Sequence, residues 1–148
     1  MKIYRADTDK KRYLPLLLLA DEQENMIDRY LSRGTMFVLE AEGVVCGECV
    51  VTDEGGGILE LKNIAVAPNL QGMGYGKALV DFVCAQYRGQ YAWLHVGTGD
   101  SPLTLPFYEK LGFTRFSVVK DFFTLNYDHP MIEDGVLLRD MIYLRKRL

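Results

Sequence analysis

The chain has 148 residues, 49% of them hydrophobic and 25% charged, the length and mixture of one globular domain, which excludes intrinsic disorder and collagen-like repeats. Lysine and arginine number 17 against 20 acidic residues, a net charge of −3 with a pI near 5.4, so no basic excess exists to neutralise a phosphate backbone and nucleic acid is not an expected partner. The apolar run from Leu14 to Ala20 contains Pro15 and falls far short of the roughly 20 residues that span a bilayer, so no membrane partner is expected.

Lys2 to Arg5 reads as a short strand. Lys10, Lys11 and Arg12 ahead of the apolar run imitate a signal peptide, but Asp7, Asp9, Asp21 and Glu22 stand where such a leader tolerates no acid. Tyr13, Leu14, Leu17 and Leu18 have helical spacing instead, and Met26, Ile27, Tyr30 and Leu31 repeat it, so two helices are expected over 7–21 and 24–31. Met36 to Glu42 and Val44 to Thr52 are strand-like runs joined at Gly43, and the glycines at 55–57 turn the chain into a third strand, Ile58 to Ala67. A helix follows from Gly74 to Gly89, then a strand to Val96, a loop, a short helix over 103–111 closed by Gly112, and two strands over 114–125 and 135–144.

Cys46 and Cys49 have the Cys-x-x-Cys spacing of redox and zinc sites, yet valines flank them and the pattern there is that of a strand. The remaining candidates, Cys84, His95 and His129, lack paired ligand spacing, so no metal is expected and the thiols read as small buried residues of a cytoplasmic protein.

The chemistry concentrates in Gln71-Gly72-Met73-Gly74-Tyr75-Gly76-Lys77, between a strand and a helix. Glycines let backbone amides converge, and a helix N-terminus adds partial positive charge, so this loop suits an anion such as a pyrophosphate. A dinucleotide fingerprint from Gly72 would need glycine or alanine where Lys77 stands, and a nucleotide-triphosphate loop would need serine or threonine where Ala78 stands.

What fits is Gln/Arg-x-x-Gly-x-Gly/Ala, met by Gln71, Gly74 and Gly76. With the approach Ile64-Ala65-Val66-Ala67-Pro68 and the segment Phe107 to Phe113 in register, the chain resembles the GNAT superfamily of acyl-CoA-dependent N-acetyltransferases over nearly its whole length. The resemblance implies a mixed, mostly antiparallel central sheet of about seven strands flanked by about four helices. It also implies acetyl-CoA as co-substrate. The amides of Gln71, Gly72, Met73, Gly74, Tyr75, Gly76 and Lys77 would hold the pyrophosphate, and the backbone of Ile64, Ala65 and Val66 would pair with the pantetheine arm and supply the oxyanion donor.

Acetyl transfer from a thioester to an amine needs a neutral amine, donors for the oxyanion and a proton for the thiolate. Tyr108 stands where many members carry the tyrosine that protonates the thiolate, packing beside Phe107 and Phe113 being its alternative role. Glu60, in the strand before the loop, stands where some members hold a general base acting through water. His95, whose ordinary pKa suits proton acceptance near neutrality, and water itself stay open as the base. Asp100 replaces the asparagine that members commonly place on the second loop; its charge argues against a direct phosphate contact and leaves it, or Ser101, to cap the helix.

The late loop with Phe122, Phe123, Tyr127, Asp128, His129, Glu133 and Asp134 reads as an acidic and aromatic mouth for a cationic amine, on a small molecule or a peptide. The apolar Met141 to Leu144 reads as an edge strand that a second subunit covers, so a cytoplasmic homodimer is expected. A non-catalytic acyl-CoA sensor is the other functional class, and turnover separates the two.

Overall fold

The computed structural model describes residues 1–148. The chain folds as two units, Met1–Ala92 with Leu148, and Trp93–Arg147.

In the first unit, β1 (Lys2–Ala6), β2 (Thr35–Ala41), β3 (Val44–Gly55) and β4 (Ile58–Val66) pair in sequence, each antiparallel to the next. Glu42 and Gly43 both have positive φ (52° and 75°), the primed turn whose twist matches a two-residue hairpin. Alternation along β3 divides its side chains between two layers. Val50 joins Leu17, Ile27, Tyr30, Leu31, Met36 and Val38 in a buried cluster under α1 (Leu14–Ala20) and α2 (Glu24–Ile27). On the opposite face Phe37 meets Phe82 of α3 (Tyr75–Tyr87) edge-on, ring centroids 5.0 Å apart. Gly47 has no side chain for a steric reason, since a Cβ there would lie 2.7 Å from the Ala65 carbonyl oxygen.

The first helical region is shorter than its spacing suggests. Lys10–Tyr13 is a 3-10 turn leading into α1, and α2 spans only four residues. Pro15 at the start of α1 supplies the fixed φ of a first turn, and Asp21 leaves the helix in extended conformation.

In the second unit, β5 (Trp93–Gly99) and β6 (Thr114–Val119) both pair antiparallel with β9 (Met141–Arg147). The strand order is β1-β2-β3-β4 in the first unit and β5-β9-β6 in the second, and with five α-helices this is the mixed, mostly antiparallel α/β architecture expected. The final strand is not an edge. β9 lies between β5 and β6, Leu144 is fully buried, and the edge belongs to β6, where Phe116, Val118 and Val119 are exposed.

Two strands expected at the end of the chain are interrupted. Asp121 takes a left-handed conformation (φ 55°) and starts α5 (Phe122–Asn126), ending the strand that the sequence pattern carries to Leu125. Asp134 and Gly135, both at positive φ, turn β7 (Ile132–Glu133) into β8 (Val136–Leu137), a small separate hairpin. The aromatic residues of this region also pack on one another. Phe123, Met131 and Leu138 are buried, Phe122, Tyr127 and Met141 pack on them, and together they form a local core.

Candidate functional site

β4 ends at Val66, a 3-10 turn over Pro68–Leu70 follows, and Gln71 to Gly74 lead into α3. Gln71 donates its side-chain amide to the Val66 carbonyl at 3.2 Å, which ties the loop to the strand end. Gly72 and Gly74 have φ of +81° and +88°, and neither has an atom within 4 Å of where a Cβ would stand. Gly74 is the N-cap of α3 and offers no side-chain acceptor. The first bond into the helix runs from the Ala78 amide to the Gly74 carbonyl at 3.0 Å, so the amides of Tyr75, Gly76 and Lys77 have no intrahelical acceptor. No acidic side chain lies in the first turn of this 13-residue helix, and its dipole adds to the open amides. Gly72, Met73 and Gly74 are exposed. The loop therefore fits an oxyanion such as a pyrophosphate. Lys77 contributes backbone only, since its side chain pairs with Asp81 at 2.6 Å on the exposed helix face.

Ile64, Ala65 and Val66 are the last residues of β4, opposite Cys49, Glu48 and Gly47 of β3. Upstream, a register shift pairs Val50 with Asn63 but Val51 with Leu61, leaving Lys62 as the bulged residue. Lys62 reaches the Glu60 carboxylate at 2.8 Å and lies 4.0 Å from Glu54, which also accepts hydrogen bonds from Arg33 and Thr52. Glu60 is thus buried and ion-paired. At the rise of a strand it stands about 13 Å along β4 from Ile64.

One buried acid of the first unit escaped sequence reasoning. Glu48 is wholly buried and neither carboxylate oxygen has a hydrogen-bond partner. On the same face of the sheet, Asn63 donates to the Leu17 carbonyl and the Tyr30 hydroxyl, both at 3.0 Å, while its own Oδ1 lacks a donor. Burial pushes the Glu48 carboxyl well above its ordinary range. The unfolded chain releases that proton near pH ~4.3, whereas the folded chain keeps it. Glu48 thus adds no pH-dependent cost below that pH, and stability falls as pH rises toward the folded-state pKa, by up to about 1.4 kcal/mol per pH unit. Glu48→Gln is expected to melt increasingly above wild type as pH is raised from 5 to 8. Parallel melting curves across that range would contradict the assignment.

In the second unit, Tyr108 lies on α4 (Leu105–Lys110), 5% exposed, with Phe107 and Phe113 edge-on at 5.1 and 5.6 Å. It belongs to a packed aromatic group, as its neighbours in sequence suggest. Ser101 is buried and its hydroxyl accepts from the Leu103 amide at 3.1 Å, shaping the turn before α4, while Asp100 is exposed. His95 is half-buried, and its Nε2 is buried without a partner. Burial, then the nearby Arg145, lowers its pKa and favours the neutral ring. Cys46, Cys49 and Cys84 are buried, and burial raises the Cys49 thiol well above its ordinary pKa. No helix is long and apolar enough to cross a membrane.

Residues 32–115 match the family model of the acetyltransferase (GNAT) domain. An uncharacterized N-acetyltransferase of Bacillus subtilis, YvbK, is 36% identical over 131 residues, 87% of this chain and 84% of that protein. The solved structure of an IAA acetyltransferase from Bacillus cereus superposes with a TM-score of 0.93 at 38% identity over 99% of both chains. A GNAT family acetyltransferase from Elizabethkingia anophelis, solved with acetyl-CoA bound, gives 0.94 at 34% identity over 99% of this chain and 97% of that one. The chain belongs to the GNAT acetyltransferase family.

Proposed function

We propose that the protein is a single-domain N-acetyltransferase that moves the acetyl group of acetyl-CoA to a primary amine of a small molecule or peptide by direct attack on the thioester. The observation that carries this reading is the uncapped N-terminus of α3 behind two exposed left-handed glycines. The relative with acetyl-CoA bound and the relative named an N-acetyltransferase support it.

Acetyl-CoA supplies an acyl group activated as a thioester. The amides from Gln71 to Lys77 bind the pyrophosphate, and the backbone of Ile64, Ala65 and Val66 pairs with the pantetheine arm and donates to the oxyanion. Glu60, paired with Lys62 at 2.8 Å, takes the amine proton through water, and Tyr108 donates a proton to the departing thiolate. The protein works in the cytoplasm as a homodimer, in which a second subunit covers the β6 edge at its exposed Val118 and Val119. A monomer by light scattering at micromolar concentration would remove the dimer.

Gly74→Val tests the loop. Valine strains the backbone at φ +88° and blocks close approach of a phosphate. The folded variant is expected to bind acetyl-CoA at least about tenfold more weakly, the equivalent of one charge-assisted hydrogen bond, when titrated calorimetrically. A folded variant with wild-type affinity would refute the phosphate assignment.

A further inference from the structure

We propose that one face of the second unit's sheet is a carboxylate-binding shelf built on Arg145 and Arg147, resting on the geometry of the second unit alone.

Register places the shelf residues together. Trp93, His95 and Gly97 of β5 stand opposite Arg147, Arg145 and Tyr143 of β9, so their side chains share one face, while Leu94, Val96 and Leu144 turn to the other and are buried. The Arg145 guanidinium lies 4.2 Å from the Trp93 ring centre and 4.7 Å from that of Phe116, and Arg147 lies 4.9 Å from Trp93. His95 closes the group, its ring 4.6 Å from Phe116.

This arrangement fixes where the free hydrogen-bonding capacity lies. Aromatic faces hold the cations by cation–π attraction and leave the N–H donors at the guanidinium rim. Neither arginine is matched by an acid. The ion pairs of this unit join Arg115 to Glu109 and His129 to Asp128, and β5, β6 and β9 contain no aspartate or glutamate at all. Lys146 turns to the other face and donates to the Leu111 carbonyl at 2.7 Å. In a chain of net charge −3, a sheet face with two unpaired arginines and a neutral histidine is complementary to an anion. A fork of parallel N–H donors matches a carboxylate in particular.

Trp93 is the single tryptophan of the chain, so its fluorescence reports occupancy of the shelf directly. Benzoate, benzylamine and inorganic phosphate are titrated into the full-length protein at constant ionic strength. The two organic probes share a ring and differ in charge. Benzoate is expected to saturate at a concentration at least about tenfold below benzylamine. Arg145→Gln is expected to raise that concentration at least about tenfold, the scale of a lost charge-assisted hydrogen bond. Arg145→Lys, which keeps the charge but not the fork, should lose most of the same affinity, and it serves if the glutamine variant fails to fold.

Benzylamine binding as well as benzoate, phosphate binding where benzoate does not, or benzoate binding unchanged in a folded Arg145 variant would each overturn the shelf.

Discussion

Glu60→Gln is expected to slow acetyl transfer by about 10²- to 10⁴-fold, the usual contribution of a positioned general base, and to abolish the acidic limb of the pH–rate profile. The substitution keeps shape and length and removes the charge that accepts a proton. Acetyl-CoA affinity should stay near wild type, because Glu60 lies upstream of the bulge at Lys62 and away from the glycine loop in sequence and along the strand. Glu60 also neutralises Lys62, which is 2.8 Å away and 21% exposed in its side chain. A modest drop in melting temperature is therefore expected as well, and Glu54, 4.0 Å from the same ammonium, limits it. The measurement is kcat/KM against pH for both proteins beside a thermal melt. An unaltered acidic limb would leave Glu60 as the anchor of the Arg33–Glu54–Lys62 ion-pair chain and pass the proton to water or to His95.

Tyr108→Phe is expected to lower the single-turnover rate by on the order of 10²-fold while stability and acetyl-CoA affinity change little. Phenylalanine keeps the ring against Phe107 and Phe113 and deletes only the hydroxyl. The reference pKa of a tyrosine, about 10, exceeds that of a thiol, about 8.5, so the hydroxyl is protonated when the thiolate forms. Single-turnover conditions matter because slow product release would hide the chemical step. A folded variant with the wild-type rate would show that solvent protonates the thiolate and that Tyr108 serves packing alone.

Local signals were the legible ones. The Gln71–Gly76 spacing announced the glycine loop because the left-handed Gly72 and Gly74 and the helix start occupy consecutive positions. Glu42-Gly43 announced its hairpin by the same local chemistry. Asp134-Gly135 carries an equal signal, but Gly135 reads as the start of a strand because apolar residues follow it and the run to Leu144 looks continuous. The strand pattern through Phe122 and Phe123 failed similarly: aromatic residues favour strands on average, yet Asp121 at positive φ and the small core beneath α5 override that preference.

Long-range features were not legible. That β9 is interior depends on pairing with β5 and β6 on either side, which the composition of its own residues does not encode. Glu48 resembles any strand glutamate until α1 and α2 cover its face of the sheet. The stacking of Arg145 between Trp93 and Phe116 joins three strands, two of them far apart in sequence. Charge and ring chemistry thus converge only after folding.

The most direct measurement is mass spectrometry of the products formed when the wild-type protein meets acetyl-CoA labelled in its acetyl group and a mixture of primary amines. The expected result is labelled acetyl bound to the nitrogen of one or more amines, with free CoA in equal amount. Saturable acetyl-CoA binding with no turnover would contradict an N-acetyltransferase and leave a cofactor sensor in its place, and labelled acetate as the sole product would contradict it in favour of a thioester hydrolase.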